Sequence, residues 1–190
     1  QKELIMRKST CLLPLALGTF GLGMTEFVMM GILPDIAKSM SISIPAAGNF
    51  ISMYALGVVF GSILLVILGR TRPLKQLLII LVSVFTAANL ISAFAVNYHI
   101  FCALRFIAGL PHGAFFGVGA IAAGKLCDAG RKNQAVATMV SGMTIANLFG
   151  IPLGTFISHN FSWRITLLII GLFGFSVLYS VLKFVPYLKP

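Results

Sequence analysis

The sequence predicts an all-α membrane protein whose six transmembrane helices form a 3+3 inverted repeat. Only 9% of its 190 residues are charged, whereas a soluble domain carries about 25% charged residues. The apolar residues form blocks of roughly 20, the length at which a helix crosses a bilayer core of about 30 Å. The basic residues fall mainly in alternate connections between these blocks. That distribution is typical of a chain that crosses the membrane repeatedly.

Helices are expected in these blocks because every backbone N–H and C=O in lipid must bond within the protein. The ten-residue alternating strands of a membrane barrel are not found in the sequence. The predicted six-span unit covers 12–186, between a cytoplasmic N-terminal segment at 1–11 and the start of a cytoplasmic linker at 187–190. Its predicted spans are 12–33, 47–68, 76–96, 100–123, 134–157 and 164–185.

Turn and charge signals separate the spans in order. A basic start followed by an apolar run resembles a signal peptide, but the run continues to Leu33 without a clear small-residue cleavage site, which favours a retained first span. Pro34 and Asp35 are expected to close this span. The later connections are predicted at Ser41 to Pro45, Arg70 to Lys75, Asn97 to His99, Lys125 to Lys132 and Ser158 to Trp163.

The basic residues predict the orientation of the chain. Positive charge is retained on the cytoplasmic side of a membrane, so both termini are expected inside. The net charge of +10 does not indicate a nucleic-acid partner, because the charges are spread over short loops and form no continuous patch. Of 14 Lys and Arg, eleven belong to the predicted inner side, namely Lys2, Arg7, Lys8, Arg70, Arg72, Lys75, Lys125, Arg131, Lys132, Lys183 and Lys189, while only Lys38 and Arg164 belong to the outer side.

Small residues repeat every four positions in several spans and therefore lie on one helix face. Such faces allow two helices to approach closely in lipid. Spans 1, 2, 4 and 5 are accordingly expected to form the packed interior around a cavity, and spans 3 and 6 to face lipid more. The helix-packing motif comprises Gly109, Gly113 and Gly117 of span 4, and Gly150, Pro152 and Gly154 of span 5.

A weak internal echo predicts the repeat. Gly57 and Gly61 of span 2 match Gly150 and Gly154 of span 5 at an offset of 93 residues. Three spans per unit reverse the direction of the chain, so the second unit is inverted. Inverted repeats of three helices are typical of membrane transporters.

Two opposite charges lie inside the predicted spans. Glu26 lies about 12 Å from the outer end of span 1 and Arg105 about 9 Å from the outer end of span 4, at 1.5 Å per residue. We expect the two to pair, because pairing lowers the cost of burying charge. The pair either couples proton or substrate movement or is a static structural ion pair.

His112 follows Pro111, which is expected to kink span 4. Its imidazole is a further proton-coupling candidate because it can titrate near neutral pH; alternatively, it satisfies the kink. Other side chains either line an adaptable cavity or simply pack and bond between helices. These cavity-lining candidates are Met24, Met30, Tyr54, Phe116 and Asn147.

No pattern indicates catalysis, a cofactor or a metal site. Cys11, Cys102 and Cys127 form no CxxC spacing, and an odd count argues against a disulfide framework. An intramembrane serine protease would need a histidine in a span after its serine. Ser141 precedes a glycine, but His159 is expected in an outer loop. We therefore expect that the protein is not an enzyme.

Four stretches carry a resemblance to a known family. They read LALGTFGLGMTEFVMMGILPDIA at 15–37, SISIPAAGNFISMYALGVV at 41–59, RFIAGLPHGAFFGVGAIAA at 105–123 and SGMTIANLFGIPLGTFIS at 141–158. As a set they resemble the N-terminal half of a major facilitator superfamily transporter, and more narrowly the drug/proton antiporter family and its arabinose-efflux-like inner-membrane branch.

The family motifs match only in part. The span 4 motif is present at Arg105 and Gly109, with Ala108 where glutamine is usual. The antiporter motif of span 5 is recognisable, with Pro152 one place from its usual position. The loop motif after span 2 keeps its basic residues but lacks the usual acid, since no Asp or Glu lies between Asp35 and Asp128.

The resemblance implies a twelve-helix fold of two six-helix halves, with a cavity between them and alternating access. It further implies proton-coupled efflux of a small sugar-like or drug-like solute at the inner (plasma) membrane. The expected partners are the lipid bilayer, the solute, protons and a second six-helix half. The alternative is an inactive six-span fragment that lacks its second half.

Overall fold

The computed structural model describes residues 2–69, 71–127 and 129–187, and these contain helices and turns but no strand. Six stretches within them are long and apolar enough to cross a membrane, with α5 and α6 together forming the fifth. The predicted all-α class with six spans is confirmed. The helices are α1 (Lys2–Ser39), α2 (Ile44–Leu68), α3 (Leu74–Ser92), α4 (Tyr98–Leu126), α5 (Lys132–Ile145), α6 (Ile151–Asn160) and α7 (Trp163–Phe184).

The first turn of the chain lies later than predicted. Pro34 was expected to close the first span, but it lies inside α1, which continues to Ser39. A proline removes one helical hydrogen bond, and packed membrane helices tolerate this loss. The chain instead turns at Ser41, which has a left-handed φ of 53°. Ser43 then accepts a hydrogen bond from the backbone N–H of Ala46 at 3.3 Å and so stabilises the start of α2.

The fifth span contains a wide turn. Between α5 and α6, residues Ala146–Gly150 form a π-helical segment, hereafter the π segment. Pro152 lies two residues after the end of this segment, and its missing N–H cannot close the usual bond to the residue four places earlier. π-Helical turns are often found at functional sites. By contrast, α4 continues as an α-helix through Pro111.

The helices pair as an inverted repeat requires. α2 packs along α4, α1 along the fifth span, and α3 along α7. In such a repeat, span 1 corresponds to span 4, span 2 to span 5 and span 3 to span 6. The contact between α2 and α4 therefore corresponds to the contact between the fifth span and α1, and the contact between α3 and α7 corresponds to itself. The matching glycines occupy equivalent places: Gly57 and Gly61 face Phe106 and Leu110 of α4, as Gly150 and Gly154 face Met24 and Val28 of α1.

The predicted packed interior is only half right. In their most apolar stretches, α1 is 61% buried and α4 is 56% buried, as expected for central helices. α2 and the fifth span reach only 28% and 22%, below the 44% of both α3 and α7. Small residues therefore report a close pairwise contact, but one glycine face does not bury the other sides of a helix.

Some residues used in the sequence argument lie outside the described part of the structure. They include Arg70, Asp128 and Lys189, together with the side chains of Lys2, Arg7, Lys8 and Cys11. The predicted orientation of the chain in the membrane therefore continues to depend on the sequence alone.

Candidate functional site: a polar cluster among four helices

Polar side chains from four helices meet inside the bundle. Except for Glu26, each of these residues is at most 6% exposed. An unpaired polar group is costly in such a buried position. We call these six residues the polar cluster: Thr25 and Glu26 of α1, Tyr54 of α2, Asn89 of α3, and Arg105 and His112 of α4.

Arg105 is held by neutral groups. Its Nη2 donates to the backbone carbonyl of Thr25 at 3.0 Å, and its Nη1 donates to the Thr25 hydroxyl at 3.3 Å. The guanidinium also lies over the Tyr54 ring, 4.4 Å from its centroid. Stacking on an aromatic face and donation to a carbonyl both suit a planar, delocalised cation. Within the described part of the chain, the Arg105 Nε has no hydrogen-bond partner.

Thr25 links three helices. Its hydroxyl accepts from Arg105 of α4 and donates to the side-chain oxygen of Asn89 in α3. The Asn89 amide nitrogen in turn donates to the backbone carbonyl of Phe85 at 2.9 Å. A buried network of this kind is stable only when its members find partners, and here Thr25, Asn89 and both terminal nitrogens of Arg105 have them.

The predicted direct ion pair between Glu26 and Arg105 is not present in this structure. Arg105 bonds to Thr25, while Glu26 lies beside His112, with Oε2 3.6 Å from Nδ1. Depth along a helix gives the height of a residue but not the direction in which it faces. Residues 25 and 26 are about 100° apart around an α-helix, so only one of them meets the arginine.

His112 lies between Tyr54 and Glu26. Its Nδ1 is 2.8 Å from the Tyr54 hydroxyl, and its ring stacks on Phe116 at 5.2 Å between centroids. A neutral imidazole nitrogen without a proton accepts from tyrosine, whereas a protonated one donates. Glu26 Oε2 has no hydrogen-bond partner among the described residues, and the Glu26 side chain is 31% exposed. The cluster thus joins a partly accessible acid to a buried base.

The cavity-lining candidates do not all lie together. Tyr54 and Phe116 belong to the surroundings of His112. Met24 is half-buried and faces Gly150 in the π segment. Met30 is 55% exposed, and Asn147 is exposed in the π segment. The last two therefore lie on an open side of the bundle.

The helix-packing candidates mostly contact a neighbouring helix. Gly109 and Gly113 lie against the backbone carbonyls of Tyr54 and Val58 in α2. Gly150 and Gly154 make the corresponding contacts with α1, while Gly117 is half-buried and Pro152 is exposed.

Sequence reasoning missed Thr25 and a contact near the C-terminal end of α1. The signal for Thr25 was its place beside Glu26, the only acid inside a predicted span. Asp35 accepts from the Ser158 hydroxyl at 2.5 Å, and its other oxygen is 3.7 Å from His159 Nδ1. His159 lies in the last turn of α6 rather than in a loop. These three residues join α1 to the fifth span at their predicted outer ends.

The chain is similar in sequence to known membrane transport proteins. The Major Facilitator Superfamily model matches residues 15–190. The chain is 50% identical to AraJ of Escherichia coli (strain K12) over 92% of its own length and 44% of AraJ. It is 43% identical to the inner membrane transport protein YdhP of the same strain, over 83% of the chain and 40% of YdhP.

A "Probable sugar efflux transporter" of Mannheimia succiniciproducens is 31% identical over 90% of the chain and 43% of that relative. The chain therefore spans less than half the length of each of these three relatives.

Proposed function

Because this chain belongs to the major facilitator superfamily, we propose that it forms one six-helix half of a proton-coupled, alternating-access efflux transporter. The main observation behind this proposal is the environment of the Glu26 carboxylate. It is partly exposed, lacks a hydrogen-bond partner at Oε2 and lies beside His112. Ionisable residues inside membrane spans are costly, and they often mark proton or substrate pathways.

Glu26 is the proton carrier in this mechanism. In its charged state it attracts a protonated His112 and is stabilised by the nearby Arg105 guanidinium. On taking up a proton it becomes neutral and loses both attractions. A proton can drive a conformational change only if the two states bind it differently, and these contacts supply such a difference.

His112 transmits the change. When its Nδ1 carries no proton, the Tyr54 hydroxyl can donate to it across the observed 2.8 Å. A proton on Nδ1 reverses that hydrogen bond and favours contact with Glu26. Tyr54 also carries the Arg105 guanidinium on its ring. The charge state of Glu26 is thereby coupled to α2 and α4.

The exposed faces of α2 and the fifth span are where a second half is expected to close the cavity. Both spans are largely unburied in this chain, and the relatives are more than twice as long. Asn147 and Met30 lie on such exposed surface and would meet the solute. A sugar-like or drug-like solute is consistent with the name of one relative.

The proposed location is the inner (plasma) membrane with both termini cytoplasmic. An inner-membrane relative and the uneven distribution of basic residues support it. The rival interpretations are a static polar network in a transporter driven by another ion, and an inactive six-span fragment.

Transport in liposomes tests the proposed function. The protein expressed from its complete gene is reconstituted, a pH gradient is imposed, and labelled pentose or a cationic dye is supplied. We expect accumulation that follows the pH gradient and stops when an ionophore collapses it. Accumulation that ignores the pH gradient but follows sodium would reject proton coupling, and no accumulation of any supplied solute would favour the inactive fragment.

A further inference from the structure

A second site is formed by an apolar groove on the predicted cytoplasmic half of the bundle. It lies between α2, α3 and α4 and encloses about 290 Å³. Its described walls are almost entirely aliphatic, with Leu64, Leu77, Ile80 and Val84 among them. Within the part of the chain that the structure describes, Arg72 is the one charged residue that lines it. The polar cluster contributes no residue to this lining.

The aliphatic wall of the groove covers about two thirds of the thickness of one membrane leaflet. Along α3 its wall extends from Leu77 to Val84, about 10 Å at 1.5 Å per residue. Arg72 precedes this wall in the connection between α2 and α3. A hydrocarbon leaflet is about 15 Å thick, half of a core of about 30 Å. Leu64 and Ile80 are 45% and 41% exposed, so the groove is open along its side.

The charge at the groove mouth is not balanced by the local sequence. No Asp or Glu lies between Asp35 and Asp128, so none of the three helices that form the groove contains a carboxylate. Lys75, three residues after Arg72, directs its Nζ to the carbonyl of Leu182 at 2.8 Å. The exposed guanidinium of Arg72 is therefore left to attract an anion from outside these helices.

We propose that this groove binds an anionic phospholipid of the cytoplasmic leaflet, with its phosphate at Arg72 and one acyl chain along α3. Basic pockets between membrane helices on the cytoplasmic side are suited to anionic headgroups. The aliphatic wall suits an acyl chain, and its length of about 10 Å lies within a single leaflet of about 15 Å. A free phosphate would not use the wall, and a neutral lipid would not use Arg72.

Native mass spectrometry tests the lipid site. The protein from its complete gene is purified in detergent and mixed with phosphatidylglycerol or phosphatidylcholine of identical chains. We expect the first bound lipid to be phosphatidylglycerol, and Arg72→Gln to weaken its retention about fivefold, the contribution typical of one basic residue near a membrane surface. Ile80→Trp should fill the groove and weaken retention of the lipid while Arg72 remains.

Lys183→Gln is the matched control, because Lys183 is an exposed lysine at the predicted cytoplasmic end of α7 and does not line the groove. It should retain the lipid as wild type does. Equal retention of the two lipids would overturn the site, as would an Arg72→Gln variant that binds like wild type. Equal losses in Arg72→Gln and Lys183→Gln would indicate surface charge alone. Complete displacement by glycerol phosphate would reject the role of the acyl chain.

Discussion

Thr25 and Glu26 are consecutive in α1 and have different surroundings. Thr25 is fully buried and binds both Arg105 and Asn89. Glu26 is partly exposed and faces His112. An α-helix turns about 100° per residue, so neighbouring positions meet different helices. One residue therefore holds the buried cation in place, while the next is the residue proposed to carry the proton.

Thr25→Val tests the structural half of this arrangement. Valine keeps the shape of threonine but leaves Arg105 Nη1 and the Asn89 side-chain oxygen without the Thr25 hydroxyl. We expect the free energy of unfolding to fall by about 1–3 kcal/mol, the usual cost of unsatisfied buried polar groups. Detergent-titrated unfolding of the complete protein measures this change, and Thr25→Ser should recover most of it.

Thr138→Val is the matched control for Thr25→Val. Thr138 is exposed and donates only within α5, to the carbonyl of Gln134, so its loss should change stability little. If the Thr25 and Thr138 variants unfolded alike, the network through Thr25 would not stabilise the fold.

At the scale of the helices, close contacts depend on missing side chains. Gly57 of α2 lies against the carbonyl of Phe106 and the backbone of Gly109 in α4. Gly48, in the same helix, has nothing within 4 Å of the position a Cβ would take. Substitution of each glycine in turn therefore separates the effect of helix packing from that of helix propensity, which is the same at both positions.

Gly57→Ala and Gly48→Ala form a matched pair. Alanine at Gly48 should be neutral or stabilise the protein by up to about 1 kcal/mol, because glycine is the weaker helix former. Alanine at Gly57 should force α2 and α4 apart and destabilise the protein by about 1–3 kcal/mol. Thermal unfolding of both variants in one detergent measures the difference. Equal melting temperatures would show that α2 and α4 have room for a side chain.

Pro152→Ala tests the cause of the π segment. With an N–H restored at position 152, we expect Ala146–Gly150 to return to regular α-helical hydrogen bonding. A structure of the variant determines this directly. If the wide turn persisted, its cause would be packing against Met24 of α1 rather than the proline.

The limits of prediction follow from what a pattern encodes. Hydropathy and length encode a span and therefore predicted six helices. They do not encode a wide turn, which needs the helical hydrogen bonds around Pro152, or the course of α1 through Pro34. Depth placed Glu26 near Arg105 but not the direction of either side chain. Asp35 is too far in sequence from Ser158 and His159 for spacing to connect them.

Across the whole molecule, exposure of apolar side chains differs from that of a self-contained bundle. Phe60 of α2 is 54% exposed, while Leu148 and Phe149 of the π segment are 67% and 62% exposed. Lipid can cover such surfaces, and so can a second six-helix half. The chain spans less than half the length of its relatives, which favours the second half for α2 and the fifth span.

Cysteine labelling tests the orientation of the whole molecule. A membrane-impermeant thiol reagent applied to intact cells should label Ser43→Cys and Asn160→Cys, which lie near the predicted outer turns. It should not label Arg131→Cys, in the connection before α5. Labelling of Arg131→Cys in sealed cells would contradict the predicted topology. Labelling in disrupted cells provides the control that each cysteine is accessible.

Glu26 is the residue proposed to carry the proton. The most direct measurement is solute-induced proton movement, followed with a pH-sensitive dye inside liposomes that hold the complete transporter. Glu26→Gln keeps the shape of the side chain but cannot titrate, and Asp35→Asn is the control because that acid lies at the outer end of α1. We expect Glu26→Gln to fold and bind solute but move no protons, while Asp35→Asn remains coupled. Proton movement at the wild-type rate in Glu26→Gln would contradict the account.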